Sequence, residues 1–460
     1  MQRLHIKLIH LNMVRKGLQI LALGLIGISA YSQPYQGVAT HFEALGTPYG
    51  GCGVPPELVE TDNYVALNVY ASPGVGTMWT RPLKGADTVH MGMFANGTNC
   101  GRWLKVTIGE DCIDGTNDGA LGQQFCRGAN AKWLNDKYSG ATLYMIVTDA
   151  CGDNNGWCRD SKFHLDLHTP SLNKFEQNGV PVNDMLPLHF NNRKINWEFV
   201  EVPNYSGDID IYFLQKAQYY WPAIMINHLR NGISRVEQKI NGKWVTIDRN
   251  SDMGQAFLLK DFTQPYTIRA YDIYGNLING GREYTMSLPA NCNNGCPDPS
   301  TKTTFAAKDS IYSQQIQLKA GWNLISFNVS PINKTIESVF KNVLGNIKEI
   351  KTVNGFWETS QNALLNSLKT VSDGEAYMVF AQSSCTLNTS GTIVFNQQIK
   401  SIKQGWNMVG CPFQANKTFS SSINLNAIET IKDFDGFWNG STANQLIMME
   451  PGKGYFVKGK

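Results

Sequence analysis

The chain has 460 residues, of which 42% are hydrophobic and 17% charged, with a formal net charge of +3. This composition excludes a disordered chain, and the length predicts two to four domains because one hydrophobic core stops growing well below this size. The small net charge argues against nucleic acid as a partner and against a strong electrostatic attraction to acidic polysaccharide.

The N-terminus has the features of a signal peptide. Four basic residues accompany an apolar segment over residues 17–28, and small residues at Ala30 and Ser32 suit cleavage before Gln33. We therefore expect residues 1–32 to be removed and the mature protein to be secreted, with no membrane partner after that removal. A retained membrane anchor is the alternative, but the apolar segment is shorter than the roughly 20 residues that span a bilayer.

The remainder divides into β-rich regions. Short apolar runs between Gly and Asn turns predict an all-β barrel or sandwich over residues 33–196. Residues 197–289 alternate more cleanly around an Asn-Gly hairpin turn, which predicts a small β-sandwich. Residues 290–312 are polar and Pro-containing and are predicted to be a linker. Residues 313–460 are predicted to form a duplicated β-rich module.

The duplication rests on three motifs that recur in order. Gly321-Trp322-Asn323-Leu324-Ile325 recurs as Gly405-Trp406-Asn407-Met408-Val409, Asn354-Gly355-Phe356-Trp357 as Asp435-Gly436-Phe437-Trp438, and Gly374-Glu375-Ala376-Tyr377 as Gly452-Lys453-Gly454-Tyr455. Two such halves are expected to bury their faces on each other. We interpret the recurring tryptophans as core residues, with a second carbohydrate-binding or wall-attachment module as the alternative.

Ten cysteines in an exported chain predict disulfide bonds, and spacing alone does not choose the pairs. The candidate disulfide cysteines are Cys52, Cys100, Cys112, Cys126, Cys151, Cys158, Cys292 and Cys296. A zinc site at Cys151 and Cys158 is an alternative that their spacing does not favour. A loop with Asp114, Asn117 and Asp118 could hold Ca²⁺, but it matches no EF-hand and a solvated loop is favoured. We expect no metal and no cofactor.

Two aspartates frame a cysteine-bounded loop. The sequence is Thr148-Asp149-Ala150-Cys151, then Cys158, then His164-Leu165-Asp166-Leu167. The apolar neighbours of Asp166 would raise its pKa and suit it to general-acid chemistry. Asp149, at a strand end, is a candidate partner for inverting glycoside hydrolysis, which needs two carboxyl groups. Turn capping by one or both aspartates is the alternative.

These motifs, with two earlier ones, resemble those of the expansin family. The earlier ones are Gly37-Val38-Ala39-Thr40-His41-Phe42 followed by Gly50-Gly51-Cys52-Gly53, and then Asn96-Gly97-Thr98-Asn99-Cys100-Gly101. All four stand in family order over residues 37–167. The resemblance implies a six-stranded double-psi β-barrel whose polysaccharide groove is lined by Thr40, Asp149 and Asp166. Phe42 and Trp157 are also expected to bind substrate.

The second region resembles the second expansin domain, an Ig-like cellulose-binding sandwich. Tyr219, Tyr220 and Trp221 are consecutive, and strand side chains alternate, so at least one ring should reach the surface. The resemblance implies that Tyr220 and Trp221 bind cellulose; a core Trp flanked by interface tyrosines is the alternative. The family's third aromatic position falls near Met253, which shortens the platform, and Trp244 is expected to pack under the sheet.

The resemblance implies a monomer that loosens cellulose and other plant-type wall glucans without hydrolysis. Related inverting endoglucanases have a catalytic base at a position that falls near Ala44 here. Glu43 is one residue away, so an inverting endo-β-glucanase with Asp166 as general acid stays open as an alternative. A non-catalytic carbohydrate-binding protein with an inert barrel is the other alternative.

Overall fold

The computed structural model describes residues 34–152, 154–188, 193–203, 205–393, 399, 401–440 and 445–460. The predicted signal peptide therefore lies outside the described residues. Across these ranges we find no helix with the length and apolar character needed to cross a bilayer. Short strands joined by turns make up most of the secondary structure, which confirms the all-β class.

The first region consists of twelve strands and a few short helices. The strands are β1 (Tyr35–Phe42), β2 (Tyr64–Asn68), β3 (Trp103–Ile108), β4 (Asp111–Ile113), β5 (Thr116–Asn117), β6 (Cys126–Arg127), β7 (Lys132–Leu134), β8 (Thr142–Cys151), β9 (Leu165–His168), β10 (Glu176–Gln177), β11 (Val180–Pro181) and β12 (Arg193–Val200). The helices are α1 (Gly156–Asp160), α2 (Met185–Leu188) and 3-10 turns at Pro56–Leu58, Gly85–His90, Ala95–Gly97 and Thr169–Lys174.

Six of these strands close into a barrel. They pair in the order β8-β2-β9-β1-β12-β3, and the pairing of β3 with β8 completes the ring. The pairs β1–β9 and β2–β8 are parallel and the others antiparallel. Alternate residues such as Val65, Leu67, Leu165 and Leu167 fill the interior, so the residues between them face outward. The six-stranded barrel is confirmed, and its double-psi connectivity stays a prediction.

The barrel continues past the boundary expected at residue 196. Strand β12 pairs with β1 over residues 193–197 and with β3 over residues 195–200, and its last pair joins Val200 to Trp103. Trp197 is buried in the barrel core, where its indole N–H donates to the carbonyl of Phe163 at 3.0 Å. An aromatic, alternating segment at a domain boundary suits either neighbour, and only the pairing assigns it to the barrel.

The second region is a β-sandwich of nine strands. These are β13 (Asp210–Leu214), β14 (Ala223–Asn227), β15 (Arg235–Ile240), β16 (Lys243–Asn250), β17 (Met253–Leu258), β18 (Tyr266–Tyr271), β19 (Glu283–Met286), β20 (Ser300–Lys302) and β21 (Phe305–Lys308), with 3-10 turns at Ile278–Gly281 and Ala290–Cys292. Their order is β20-β13-β14-β17-β16-β15-β18-β19-β21, so β16 joins the two layers. The layers enclose one apolar core.

Part of the expected linker belongs to this sandwich. Strand β20 pairs with β13, and β21 pairs with β19, so residues 300–308 form both outer edges of the sheets. The disulfide between Cys292 and Cys296 pins the preceding segment, and Cys296 N–H donates to the carbonyl of Ala217 at 2.9 Å. Edge strands can be short and polar, which explains why composition alone predicts a linker here.

The barrel and the sandwich contact each other directly. Gln255 N–H donates to the carbonyl of Cys52 at 3.0 Å, and the Asn227 amide donates to Leu58 O at 2.8 Å. Arg81 and Asp252 form an ion pair at 2.7 Å, and the Asp252 side chain is only 9% exposed. These interactions join the barrel loops next to the Cys52 turn to strands β14 and β17.

The C-terminal region contains two similar four-stranded sheets. Its strands are β22 (Tyr312–Leu318), β23 (Gly321–Ser326), β24 (Val329–Pro331), β25 (Ile347–Lys351), β26 (Phe356–Glu358), β27 (Ala376–Ala381), β28 (Cys385–Ile393), β29 (Gly405–Gly410), β30 (Lys417–Thr418), β31 (Ile428–Lys432), β32 (Phe437–Trp438), β33 (Met448–Met449) and β34 (Gly454–Gly459), with helices α3 (Ile336–Val339) and α4 (Phe419–Ser422) and 3-10 turns at Leu344–Asn346 and Leu425–Ala427. The sheet orders β23-β27-β25-β26 and β29-β34-β31-β32 match element by element. Each sheet covers its own core.

The two halves meet through equivalent backbone groups. Ser326 N–H donates to the carbonyl of Gly452 at 2.9 Å, and Gly410 N–H donates to that of Gly374 at 3.0 Å. Ser326 and Gly410 hold equivalent places in the repeat, as do Gly374 and Gly452. The two hydrogen bonds are therefore related by an approximate two-fold symmetry between the halves. The halves therefore contact each other at this end of the sheets, but each buries its apolar face in its own core, and the expectation that the two faces bury each other is wrong.

Candidate functional site

Thr40, Asp166, Ala66 and Asp149 lie side by side on four neighbouring strands. Thr40 on β1 is the register partner of Asp166 on β9. Ala66 on β2 is the partner of Asp166 on one side and of Asp149 on the other. Directly paired residues share a face of the sheet, and the neighbours of Asp166 on β9 are core residues. The four side chains therefore form a row on the outer face of the barrel.

A hydrogen-bonded chain links Thr40, Asp166 and His164. The Thr40 hydroxyl donates to Asp166 Oδ1 at 2.8 Å, and its oxygen lies 3.1 Å from His164 Nε2. Since the hydroxyl hydrogen is given to Asp166, Thr40 Oγ1 accepts from His164, which places the ring proton on Nε2. His164 has no exposed surface, and burial lowers its pKa to about 3. The imidazole is therefore neutral and positions Thr40.

Asp149 is held by the Gly-Gly turn of the first motif. Its Oδ1 accepts hydrogen bonds from the backbone N–H of Gly51 at 2.6 Å and of Ala150 at 2.8 Å. Burial raises the pKa of this carboxyl, although the two N–H groups and Arg81 act in the opposite direction. A Cβ on Gly51 would stand 3.0 Å from Asp149 Oδ1 and 2.6 Å from Ala150 Cβ, so the close approach requires glycine.

Eight of the ten cysteines form disulfide bonds. The eight candidate cysteines pair as Cys52–Cys100, Cys112–Cys126, Cys151–Cys158 and Cys292–Cys296. Cys385 and Cys411 are free thiols. His164 lies close enough to Cys151 and Cys158 to resemble a metal site, with one ligand atom of each within 4.8 Å of the others. The two sulfurs are bonded to each other, which leaves one ligand and does not fit the zinc alternative.

Of the two aromatic residues expected beside the groove, only Phe42 remains a candidate. Its ring is half-buried on the same strand face as Thr40 and packs edge-on against Tyr64 at 5.7 Å. The expectation for Trp157 is wrong, because its side chain is 5% exposed and stacks on Phe125 at 4.1 Å. Trp157 is the second residue of helix α1, and its ring fills the space between that helix and the segment that carries Phe125.

Glu43 is directed away from the row. The Thr169 hydroxyl donates to Glu43 Oε1 at 3.2 Å, and the same oxygen lies 3.9 Å from His41 Nδ1. His41 is adjacent to Thr40 on β1 and therefore belongs to the opposite strand face. These contacts orient Glu43 toward the barrel end and not toward Asp166.

In the acidic loop with Asp114, Asn117 and Asp118, the two aspartates form ion pairs with basic side chains. Asp118 accepts two hydrogen bonds from Arg127, at 2.6 and 2.7 Å, and one from the Ala120 backbone at 3.0 Å. Asp114 lies 3.6 Å from Lys132. Both aspartates thus have basic side chains as partners in this structure, and the solvated-loop interpretation stays a prediction.

An exposed aromatic surface lies on one end of the sandwich. Tyr219 and Tyr220 are 47% and 77% exposed, and Phe262 lies 5.9 and 6.3 Å from their ring centres. Trp221 is half-buried and packs partly against the core. Phe262 joins this surface only through the tertiary structure, although its position as an aromatic residue in the polar turn before Pro265 is a signal that the sequence offers.

The turn that carries these rings is fixed at both ends. Gln218 and Trp221 exchange backbone hydrogen bonds at 2.9 and 3.2 Å, which closes the turn around the two tyrosines. Lys216 N–H donates to Cys296 O at 2.8 Å, so the Cys292–Cys296 loop supports the turn from below.

The expectations for Met253 and Trp244 have different outcomes. Met253 faces the barrel, since a Cβ on Gly53 would stand 3.2 Å from Met253 Cβ, and the shortening of the aromatic platform at this position stays a prediction. Trp244 does not pack under the sheet. It is half-buried on the outer face between two cations, with Arg269 4.4 Å and Lys239 5.3 Å from the ring.

No protein-family model matches the chain, and no curated protein matches it. Two solved structures are similar to it: a point mutant of the Clavibacter michiganensis expansin in complex with cellohexaose, and the apo form of the Clavibacter michiganensis expansin. They are 18% and 19% identical in sequence, and each match covers 58% of this chain and 95% of the other. The TM-scores are 0.34 and 0.33.

Proposed function

We propose that this chain is a secreted expansin-like protein that binds cellulose and related wall glucans and loosens them without hydrolysis. The observation that carries the proposal is the outward row in which Thr40 donates to Asp166 and Asp149 stands beyond Ala66. A row of hydroxyl and carboxyl groups on an open face suits a glucan chain, whose hydroxyls need both donors and acceptors.

The sandwich supplies the second half of the proposed function. Tyr219, Tyr220 and Phe262 present apolar ring faces that can stack on the C–H faces of β-linked glucose without any charge. The sandwich would hold the protein on the cellulose surface while the barrel row engages one chain and competes for its lateral hydrogen bonds. Four disulfides support the proposed extracellular location.

The inverting endoglucanase is the second candidate. It is favoured by the raised pKa of Asp149 and by the placement of two carboxyl groups on one face. Two observations argue against the endoglucanase. Asp149 Oδ1 accepts hydrogen bonds from two backbone N–H groups, and Glu43 accepts one from the Thr169 hydroxyl, away from the row. A carboxylate with both oxygens free to activate water would suit a general base better.

The deciding experiment is creep of heat-inactivated plant wall strips under constant load, with the bath assayed for soluble sugar. Wild type, Asp166→Asn and Thr40→Val would be compared with Tyr144→Phe, a change on an exposed barrel tyrosine outside the row. Extension by wild type and Tyr144→Phe alone, without sugar, supports the proposal. Sugar release that Asp166→Asn abolishes supports the hydrolase instead. Adsorption of the protein to the wall without extension of the strip would support the non-catalytic carbohydrate-binding protein.

A further inference from the structure

The C-terminal region carries the same aromatic–lysine pair twice on its surface. Trp322 is 36% exposed and Trp406 is 50% exposed, which corrects the expectation that the recurring tryptophans are core residues. That expectation holds for Trp357, which is 6% exposed in the core of the first half. A core does not require an exposed Trp, so its presence in both halves calls for another explanation.

Each exposed Trp has a lysine at the equivalent place. Lys351 Nζ lies 5.2 Å from the ring centre of Trp322, and Lys432 Nζ lies 4.6 Å from that of Trp406. Both lysines follow an isoleucine and precede the Gly-Phe-Trp motif at the same spacing. The arrangement is therefore repeated in sequence and in space.

Cross-strand neighbours extend each pair. In the second half, Lys432 is the register partner of Phe456 on one side and Phe437 on the other, so the three share a face. Phe437 and nearby Phe434 are 40% and 49% exposed. In the first half, Phe356 opposes Lys351 in the same way.

The charge of this region differs from that of the rest of the chain. Residues 313–460 contain thirteen lysines, no arginine and nine acidic residues, whereas residues 33–312 contain twenty-three basic and twenty-eight acidic residues. The small net charge of the whole chain conceals this segregation. The region that carries the aromatic faces is therefore cationic as a whole, which complements a polyanion, and on the first face Lys351 also forms an ion pair with Glu349 at 2.7 Å.

We propose that these two faces bind an acidic polysaccharide, a chain of pyranose rings that carry carboxylates. The ring of Trp322 or Trp406 would stack on the C–H face of one sugar, while Lys351 or Lys432 pairs with the carboxylate of the same or the next sugar. A neutral glucan has no use for the lysines, and a polyanion without apolar faces has no use for the tryptophans. Two equivalent sites on one module let a single polymer bind at both, which raises the apparent affinity.

The test is affinity electrophoresis of the full mature chain in gels that contain polygalacturonate, its fully methyl-esterified form or polyglutamate. We expect retardation by polygalacturonate alone. Two double variants, Lys351→Gln with Lys432→Gln and Trp322→Ala with Trp406→Ala, should each weaken retardation at least tenfold. The matched control is Lys341→Gln with Lys369→Gln, which removes the same charge from exposed positions elsewhere in the module.

Equal retardation by polyglutamate, or an unchanged tryptophan variant, would overturn the inference in favour of non-specific attraction. Equal retardation by the methyl ester would overturn it in favour of a neutral-glycan site. Thermal unfolding of each variant excludes misfolding as the cause. Adsorption of the same variants to cellulose should stay at the wild-type level. Failure of the acidic-polysaccharide site can therefore be distinguished from failure of the proposed cellulose binding through Tyr220.

Discussion

Asp149 and Asp166 stand on either side of Ala66, because both are register partners of this one residue on β2. Two strand spacings of about 4.8 Å separate their Cα atoms by about 10 Å. Inverting hydrolysis uses carboxyl groups roughly 6.5–9.5 Å apart, so the placement alone does not exclude it. The partners of each carboxyl group, and not the spacing, favour the non-hydrolytic function.

Substitution of Asp149 by Asn should change how stability depends on pH. Burial raises the pKa of Asp149 in the folded state, so the folded protein holds a proton that the unfolded chain has lost. Wild-type stability therefore falls relative to Asp149→Asn as pH rises from below 4 through the folded pKa. Because Asn Oδ1 can still accept from Gly51 and Ala150, we expect the variant to be at least as stable at pH 7. Urea unfolding from pH 3 to 7 measures the difference, and parallel curves would contradict it.

His164 should make the barrel sensitive to acid. Its folded pKa is lowered to about 3, whereas the unfolded residue takes up a proton below about pH 6.5. Stability is therefore lost as pH falls through this window, by about 2–3 kcal/mol at pH 4.5. His164→Gln should lose stability at neutral pH but remove this acid-dependent loss.

His228 provides a control of opposite sign. Burial acts to lower its pKa, but the Ser206 carbonyl and Glu60 raise it overall. Its contribution is present below the unfolded pKa and is lost as pH rises through the folded one. His228→Gln should therefore destabilise the protein more at pH 5 than at pH 8, the reverse of His164→Gln. Equal effects at both pH values would show that neither ring titrates as the geometry implies.

The aromatic surface of the sandwich should dominate adsorption on cellulose. Tyr220→Ala removes the most exposed ring, and Phe262→Ala removes the ring beside it. Each should weaken adsorption about tenfold, equivalent to about 1.4 kcal/mol, which is ordinary for a central aromatic contact. Tyr144→Ala, which truncates an exposed tyrosine of the barrel, is the control. Depletion isotherms on crystalline cellulose measure the change. If Phe262→Ala binds as wild type does, the surface does not extend to that ring.

Removal of the Cys292–Cys296 disulfide should act on the same surface from a distance. The loop it closes supports the aromatic turn through the bond from Lys216 N–H to Cys296 O. Replacement of both cysteines by Ala leaves Tyr219 and Tyr220 in place but frees the turn, so we expect adsorption to weaken several-fold while barrel-dependent creep per bound molecule stays the same. An unchanged isotherm would mean that the Gln218–Trp221 hydrogen bonds hold the turn by themselves.

Local sequence was enough to predict the elements that depend on nearby residues. Alternation indicated β structure, and three recurring motifs indicated the duplication. Asp149 and Asp166 could be proposed from the sequence because one ends an apolar strand and the other lies inside an apolar run, whereas Thr40 joined them only through the resemblance to expansins.

Tertiary structure decided everything that depends on partners distant in the chain. It buried Trp157 under the loop with Phe125 and directed Met253 to the barrel. It exposed Trp322 and Trp406, although alternation alone does not decide whether these side chains face the core or solvent. Strand period tells which residues share a face, but only the packing of sheets and loops determines whether that face meets a core, another half or solvent.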